Sequence, residues 1–156
     1  MPKFSRRRSA SLAASETEPA VGLSFCNEAQ RYAGGDTLEV DWCIHQPAAR
    51  SSAANAAAMD SSVIQGIEAS VMWFTEGKGD EDFKVHYFRR YGAAELAAMN
   101  LAEPQRLRTE LPYSPLSYEG QLLRIRWCVR LRLFMQGGDE VVAQHPFLLT
   151  AAHAIA

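Results

Sequence analysis

"LLRIRWCVRLRLFM", residues 122–135, decides how the rest of the chain is read. Leu123, Ile125, Trp127, Val129, Leu131, Leu133 and Met135 form one comb. Arg124, Arg126, Arg130 and Arg132, with Cys128 among them, form the other. Side chains alternate between the two faces of a strand, so period two over this length predicts a long strand with its apolar comb against a core. Same-face neighbours stand ~6.5–7 Å apart. Guanidinium groups at that spacing repel unless carboxylates answer them or a partner does. Arg124, Arg126, Arg130 and Arg132 are therefore the candidate site.

The same period appears elsewhere. "VGLSFC" (21–26) predicts a first short strand, and "QRYAGGD" a turn through Gly34 and Gly35. In "TLEVDWCIH" (37–45), Leu38, Val40, Trp42 and Ile44 face one way and Glu39, Asp41, Cys43 and His45 the other. "VIQGIEASVMWF" (63–74) places Ile67, Val71 and Trp73 on one face. "TEGKGDED" is a glycine-rich, charged hairpin tip, and "FKVHYFRR" returns with Phe83, Val85 and Tyr87 as its inner comb. "GAAELAAMNLAEPQRL" (92–107) is the one helical candidate, ended by Pro104, and reads either as a short helix or as an extended linker. "LPYSPLSYEG" is a proline-punctuated crossing and "MQGGDE" a turn. "VVAQHPFLL" is the last strand, where Pro146 indicates an edge position or a bulge.

Seven or eight strands with at most one short helix predict an all-β fold, a mostly antiparallel β-sandwich, with Trp42, Trp73 and Trp127 meeting between the sheets. The domain spans 21–150. Residues 1–20 are a polar flexible tail, 151–156 a C-terminal tail, and "QPAARSSAANAAAMDSS" (46–62), which has no apolar stripe, a surface excursion.

The bulk numbers fit one soluble domain: 156 residues, 47% hydrophobic, 22% charged, net charge −2. That balance singles out neither nucleic acid nor membrane, and no apolar run nears the ~20 residues of a membrane helix. "KFSRRR" is followed by polar sequence rather than a signal peptide's apolar core, so a cytoplasmic location is expected. Cys26, Cys43 and Cys128 are odd in number, contain no CxxC pair and lie in apolar or alternating segments, which predicts buried free thiols.

No catalytic constellation is visible. His45, His86, His145 and His153 include no HxH or HExxH spacing. Cys43 and His45 share a strand face, which is half of a zinc site at most. Asp80, Glu81 and Asp82 lack the spaced oxygens of a calcium loop and read as a solvated tip. Cys128 would need a neighbouring base to act as a nucleophile. "RRRSAS" matches a basophilic kinase site, but a solubilising tail explains it as well. The expectation is a non-enzyme without cofactor or metal.

The order of segments resembles the arrestin-like domains. In that family "Y-x-x-G-D/E" precedes a long strand, matched by Tyr32 to Asp36 before "TLEVDWCI". "L-P-x-S-x-x-S-x-x-G" precedes an "I-R-W/Y-x-V-x-V" strand, matched by 111–120 and 125–131. The resemblance spans roughly 21–149 and is most specific over 111–133. It implies an immunoglobulin-like sandwich serving as an adaptor or scaffold. Full arrestins and relatives such as bacterial sporulation-control proteins pair two such sandwiches, whereas this length accommodates one, so none of the family's receptor- or phosphate-sensing residues carries over.

Two functions of different class follow. One is an adaptor that binds a protein through a sheet edge or the arginine face. The other is a building block whose sheet edges pair copies of itself, a homodimer being the simplest case. The arginines admit two readings of their own. From Asp36 to Asp82 there are nine acidic residues against Arg50 and Lys78, so Glu39, Asp41 and Glu68 could neutralise them in a charge-laced solvated sheet. Alternatively the arginines exceed their internal partners and receive an acidic or phosphorylated protein segment.

Overall fold

A computed structural model describes residues 18–45 and 64–152. The expected N-terminal tail up to residue 17, the 46–62 excursion and His153 lie outside the described residues. The strands are β1 (Ala20–Phe25), β2 (Arg31–Ala33), β3 (Thr37–His45), β4 (Ile64–Gly77), β5 (Phe83–Tyr91), β6 (Gln105–Glu110), β7 (Tyr118–Glu119), β8 (Leu123–Met135) and β9 (Glu140–Thr150). One five-residue helix, α1 (Ala93–Ala97), lies between β5 and β6. Two sheets result. One is three-stranded, β1-β3-β6, and wholly antiparallel. The other is six-stranded, β2-β9-β8-β4-β5 with β7 on β8, antiparallel except where β2 runs parallel to β9. The fold is the all-β, two-sheet arrangement expected.

The core collects the inner combs. Leu38, Val40, Trp42 and Ile44 of β3 and Trp127, Val129, Leu131 and Leu133 of β8 are essentially inaccessible to solvent. Trp42 packs edge-on to Tyr91, and Trp127 packs against Phe147, which joins Phe25 and Tyr32 in an aromatic cluster. The indole Nε1 of Trp127 donates to the carbonyl of Pro115 at 2.8 Å, so the proline-punctuated crossing is pinned to the strand it precedes.

Several expectations require correction. The described residues hold nine strands, two of them of three residues or fewer, against the seven or eight expected. The helix stops at Ala97, and Gln105 to Leu107, read as the end of that helix or linker, begin the strand Gln105–Glu110, which pairs with β3. The supposed turn at 30–36 contains β2. Trp73 is only partly buried, on the core's margin, and Cys26 is exposed rather than buried. Phe83 and Val85 are not inner residues. Between β4 and β5 the register jumps from Val71 opposite Tyr87 to Met72 opposite Val85, leaving His86 as an extra residue. One extra residue reverses the facing of everything beyond it. Phe83 and Val85 therefore join the outer face, 52% and 41% exposed, while Tyr87 stays inside. Pro146 lies where β9 has β8 on one side only, since β2 covers just Leu148–Thr150.

Candidate protein-binding face

The outer comb of β8 lies between β4 on one side and β7 and β9 on the other, and the register assigns its neighbours. Arg124 faces Glu76 and Glu119, Arg132 faces Glu68 and Val142, and Arg130 faces Ser70 and Gln144. Three of the four arginines are answered. Arg124 meets Glu119 at 2.7 Å. Arg126 reaches Glu76 at 2.6 Å and Glu119 at 3.5 Å. Arg132 grips Glu140 with Nε and Nη2 at 2.7 and 3.0 Å and contacts Glu68 at 3.3 Å. Glu68 also receives Arg90 from β5, at 3.2 Å. The hydrogen bonds they donate to Glu76 and Glu140 raise the Arg126 and Arg132 guanidinium pKa values, and the bond from Arg132 holds the Glu140 carboxyl below its ordinary range.

Arg130 is the exception. No carboxylate comes within ion-pair distance among the described residues, its Nη1 lies 3.9 Å from the Met72 sulfur, and its Nε is buried without a hydrogen-bond partner. On this face Arg90, Arg124, Arg126 and Arg132 are ion-paired with Glu68, Glu76, Glu119 and Glu140, which leaves the charge of Arg130 without a carboxylate among the described residues. That charge stands beside an apolar strip. Met72 and Phe74 of β4 lie opposite Val85 and Phe83 of β5, and Phe88, 55% exposed, lies opposite Ser70. Part of this strip, Met72, Phe74 and Phe83, lines an open concavity of about 380 Å3 with Arg130 and Gln144, rimmed by Glu76, Glu81 and Asp82.

Arg124, Arg126 and Arg132 are therefore ion-paired and Arg130 is open. Of the carboxylates expected to answer them, only Glu68 does so: Glu39 and Asp41 lie on the three-stranded sheet and pair with Arg108 and Arg106 of β6 instead. The apolar strip was not anticipated. Its one signal was the unbroken run "VMWF" (71–74), which leaves both faces of a strand apolar instead of one.

The other sequence candidates are dispersed. Asp82 is spent on the hairpin itself, its Oδ1 accepting from the Phe83 N–H and its backbone tied to Thr75. His86 Nε2 lies 2.7 Å from the Glu110 carbonyl, tying β5 to the end of β6. Cys128 is buried, and its thiol is pushed up to about 12 by desolvation. Cys43 Sγ and His45 Nε2 lie 3.2 Å apart on the outer face of the three-stranded sheet. Among the described residues no three His, Cys, Asp or Glu side chains gather as a metal site, and no helix is long and apolar enough to cross a membrane.

No protein-family model and no curated protein matches the chain. Solved structures do. The sporulation control protein Spo0M of Bacillus subtilis is similar over 86% of this chain and 50% of its own, with a TM-score of 0.50 at 12% identity. This chain thus spans about half the length of that one. A β-glucosidase of Listeria innocua, solved with gluconolactone, matches 99% of this chain and 21% of its own at 13% identity, with a TM-score of 0.37 too low to bear on the fold. The likeness to Spo0M concerns the fold alone.

Proposed function

We propose that the chain is a non-catalytic, arrestin-like adaptor domain of the cytoplasm that binds another protein through the outer face of its six-stranded sheet. The order of segments in the sequence and the Spo0M-like fold support the family reading. The observation that carries the binding reading is Arg130, a guanidinium with a buried, unbonded Nε beside exposed Phe83, Val85 and Phe88. Nε itself is out of an incoming group's reach, but Arg130 as a whole is half-buried, and a charge-assisted bond from its guanidinium to an incoming carboxylate would supply the counter-charge it lacks. The rim narrows the partner further. Glu76, Glu81 and Asp82 would repel a polyanionic or multiply phosphorylated segment. A single carboxylate flanked by apolar side chains suits the surface better.

A photo-crosslinker at position 88 tests this in cells. The expected result is one discrete adduct that disappears with Arg130→Leu, and none from the same crosslinker at position 108 on the opposite face. Equal adducts from both positions, or an adduct indifferent to Arg130→Leu, would overturn the reading.

Self-assembly through an edge keeps one supporting observation: among the described residues, the nine of β5 pair with β4 alone. Against it, full antiparallel overlap of two β5 strands would set Lys84 opposite Arg90, and like charges so placed destabilise a pair. Sedimentation that shows a monomer at all concentrations would remove this reading.

A further inference from the structure

The outer face of the three-stranded sheet holds a thiol and a base in contact. Cys43 and His45 are successive same-face residues of β3, and the Sγ to Nε2 distance of 3.2 Å is within hydrogen-bonding reach for sulfur. The sequence opposite leaves the pair room. On β1, Ala20 faces His45 and Gly22 faces Cys43. A methyl group at Gly22 would stand 2.8 Å from Cys43 Sγ and 3.8 Å from His45 Nε2, so the thiol occupies space that only glycine leaves open. Cys43 remains partly exposed there. The nearest charges along the face do not engage the pair, because both oxygens of Asp41 are held by Arg106 of β6 at 2.8 and 3.0 Å.

We propose that Cys43 is a thiol-exchange site at which a low-molecular-weight disulfide forms a mixed disulfide with the protein. With Nδ1 carrying the ring proton, His45 Nε2 accepts the proton of the Cys43 thiol. The thiolate then attacks one sulfur of the small disulfide. A bond forms between Cys43 Sγ and that sulfur, and the disulfide's own S–S bond breaks. Its electron pair leaves on the second sulfur, which takes the proton back from the imidazolium as a free thiol. Cys43 is oxidised, and one half of the small disulfide is reduced. A nucleophile beside a base is the arrangement such a step needs. Catalytic turnover would also need a third group to orient the base. No hydrogen bond to His45 Nδ1 exists among the described residues, so the expected chemistry is a stoichiometric modification.

The other two cysteines serve as internal controls. Cys128 is buried with its thiol up at about 12, so it should not react in the folded state. Cys26 is exposed but has no histidine beside it, and Cys26→Ser removes it from the measurement. The Cys26→Ser protein, incubated with glutathione disulfide and followed by mass spectrometry, should gain one glutathionyl group, on Cys43. Adding His45→Gln should slow that gain about tenfold, since thiolate supply sets the exchange rate. Gly22→Ala should slow it too, by displacing the sulfur. With His45→Ala, free imidazole in solution should restore part of the rate, which a purely structural histidine would not allow. Unchanged melting of the His45 variants confirms that they fold. No adduct, an adduct on Cys128, or a rate indifferent to His45 would each overturn the proposal.

Discussion

The two outer faces of this sandwich are built from the same kind of strand, polar residues alternating with a buried comb, yet they end in different states. On the three-stranded sheet, Asp41 pairs with Arg106 and Glu39 with Arg108 across the β3–β6 ladder, so both arginines of that face are answered. On the six-stranded sheet the two ends of the β8 comb are matched and the middle is not. Arg132 contacts two carboxylates, and Arg130, two residues away, contacts none. Alternation produces the faces, but register decides whether a face is closed. The β4–β8 ladder brings Glu76 and Glu68 beside the ends of the comb and Ser70 beside its centre.

The comparison assumes that both faces rest on one core. Trp127→Ala should lower stability by about 3–5 kcal/mol, and both sheets should melt in a single transition. Two separate transitions in a fluorescence and circular dichroism melt would break that premise. The contrast within β8 is sharper. Arg132→Leu leaves Glu140 unpaired and the nearly buried Glu68 with Arg90 alone, and should cost about 1–2 kcal/mol in urea unfolding. Arg130→Leu should instead raise stability by up to ~1 kcal/mol, because it removes a buried donor that nothing satisfies. Equal losses from the two changes would mean that Arg130 is paired after all.

Acid titration compares the faces directly. Asp41 and Glu140, one on each face, are held below the ordinary carboxylate range chiefly by hydrogen bonds from Arg106 and Arg132. Their folded values lie below their unfolded ones. The stability they contribute is therefore present above about pH 4, and it is lost as pH falls through the folded values. Arg106→Gln and Arg132→Leu should each flatten the acid limb of a stability-against-pH curve, and a limb unchanged in both would exclude these pairs as its source. The smallest effect belongs to the most exposed of the paired arginines. Arg108→Ser, losing a 3.4 Å contact, should shift stability by less than about 0.5 kcal/mol.

The long combs of β3 and β8 were readable because each places four or more large apolar residues at strict period two. What was not readable depends on partners. In "QRLRTE" (105–110) a single buried residue, Leu107, anchors β6, and Pro104 reads as a helix terminator when it is only the residue before a strand. The bulge opposite Val71 turns Phe83 and Val85 outward, and nothing local to "FKVHYF" announces it. The candidate site shares this limit. That arginines line one face of β8 is plain from the sequence, but that Arg130 alone lacks a carboxylate follows from a ladder formed with residues about sixty positions earlier.

The parallel pairing of Arg31–Ala33 with Leu148–Thr150 joins segments more than a hundred residues apart in sequence. With the β3–β6 and β4–β8 ladders, it makes the chain's contacts mostly non-local, and topologies of that kind fold in roughly milliseconds to seconds because loop closure precedes its reward. During synthesis β2 emerges early and must wait for the strand it will lie against. Until Thr150 has left the ribosome, the flank of β8 that β9 will cover has only the two-residue β7 beside it. The nascent chain is thus most prone to aggregate between the emergence of β8 and that of β9, the segment whose arrival ends that exposure.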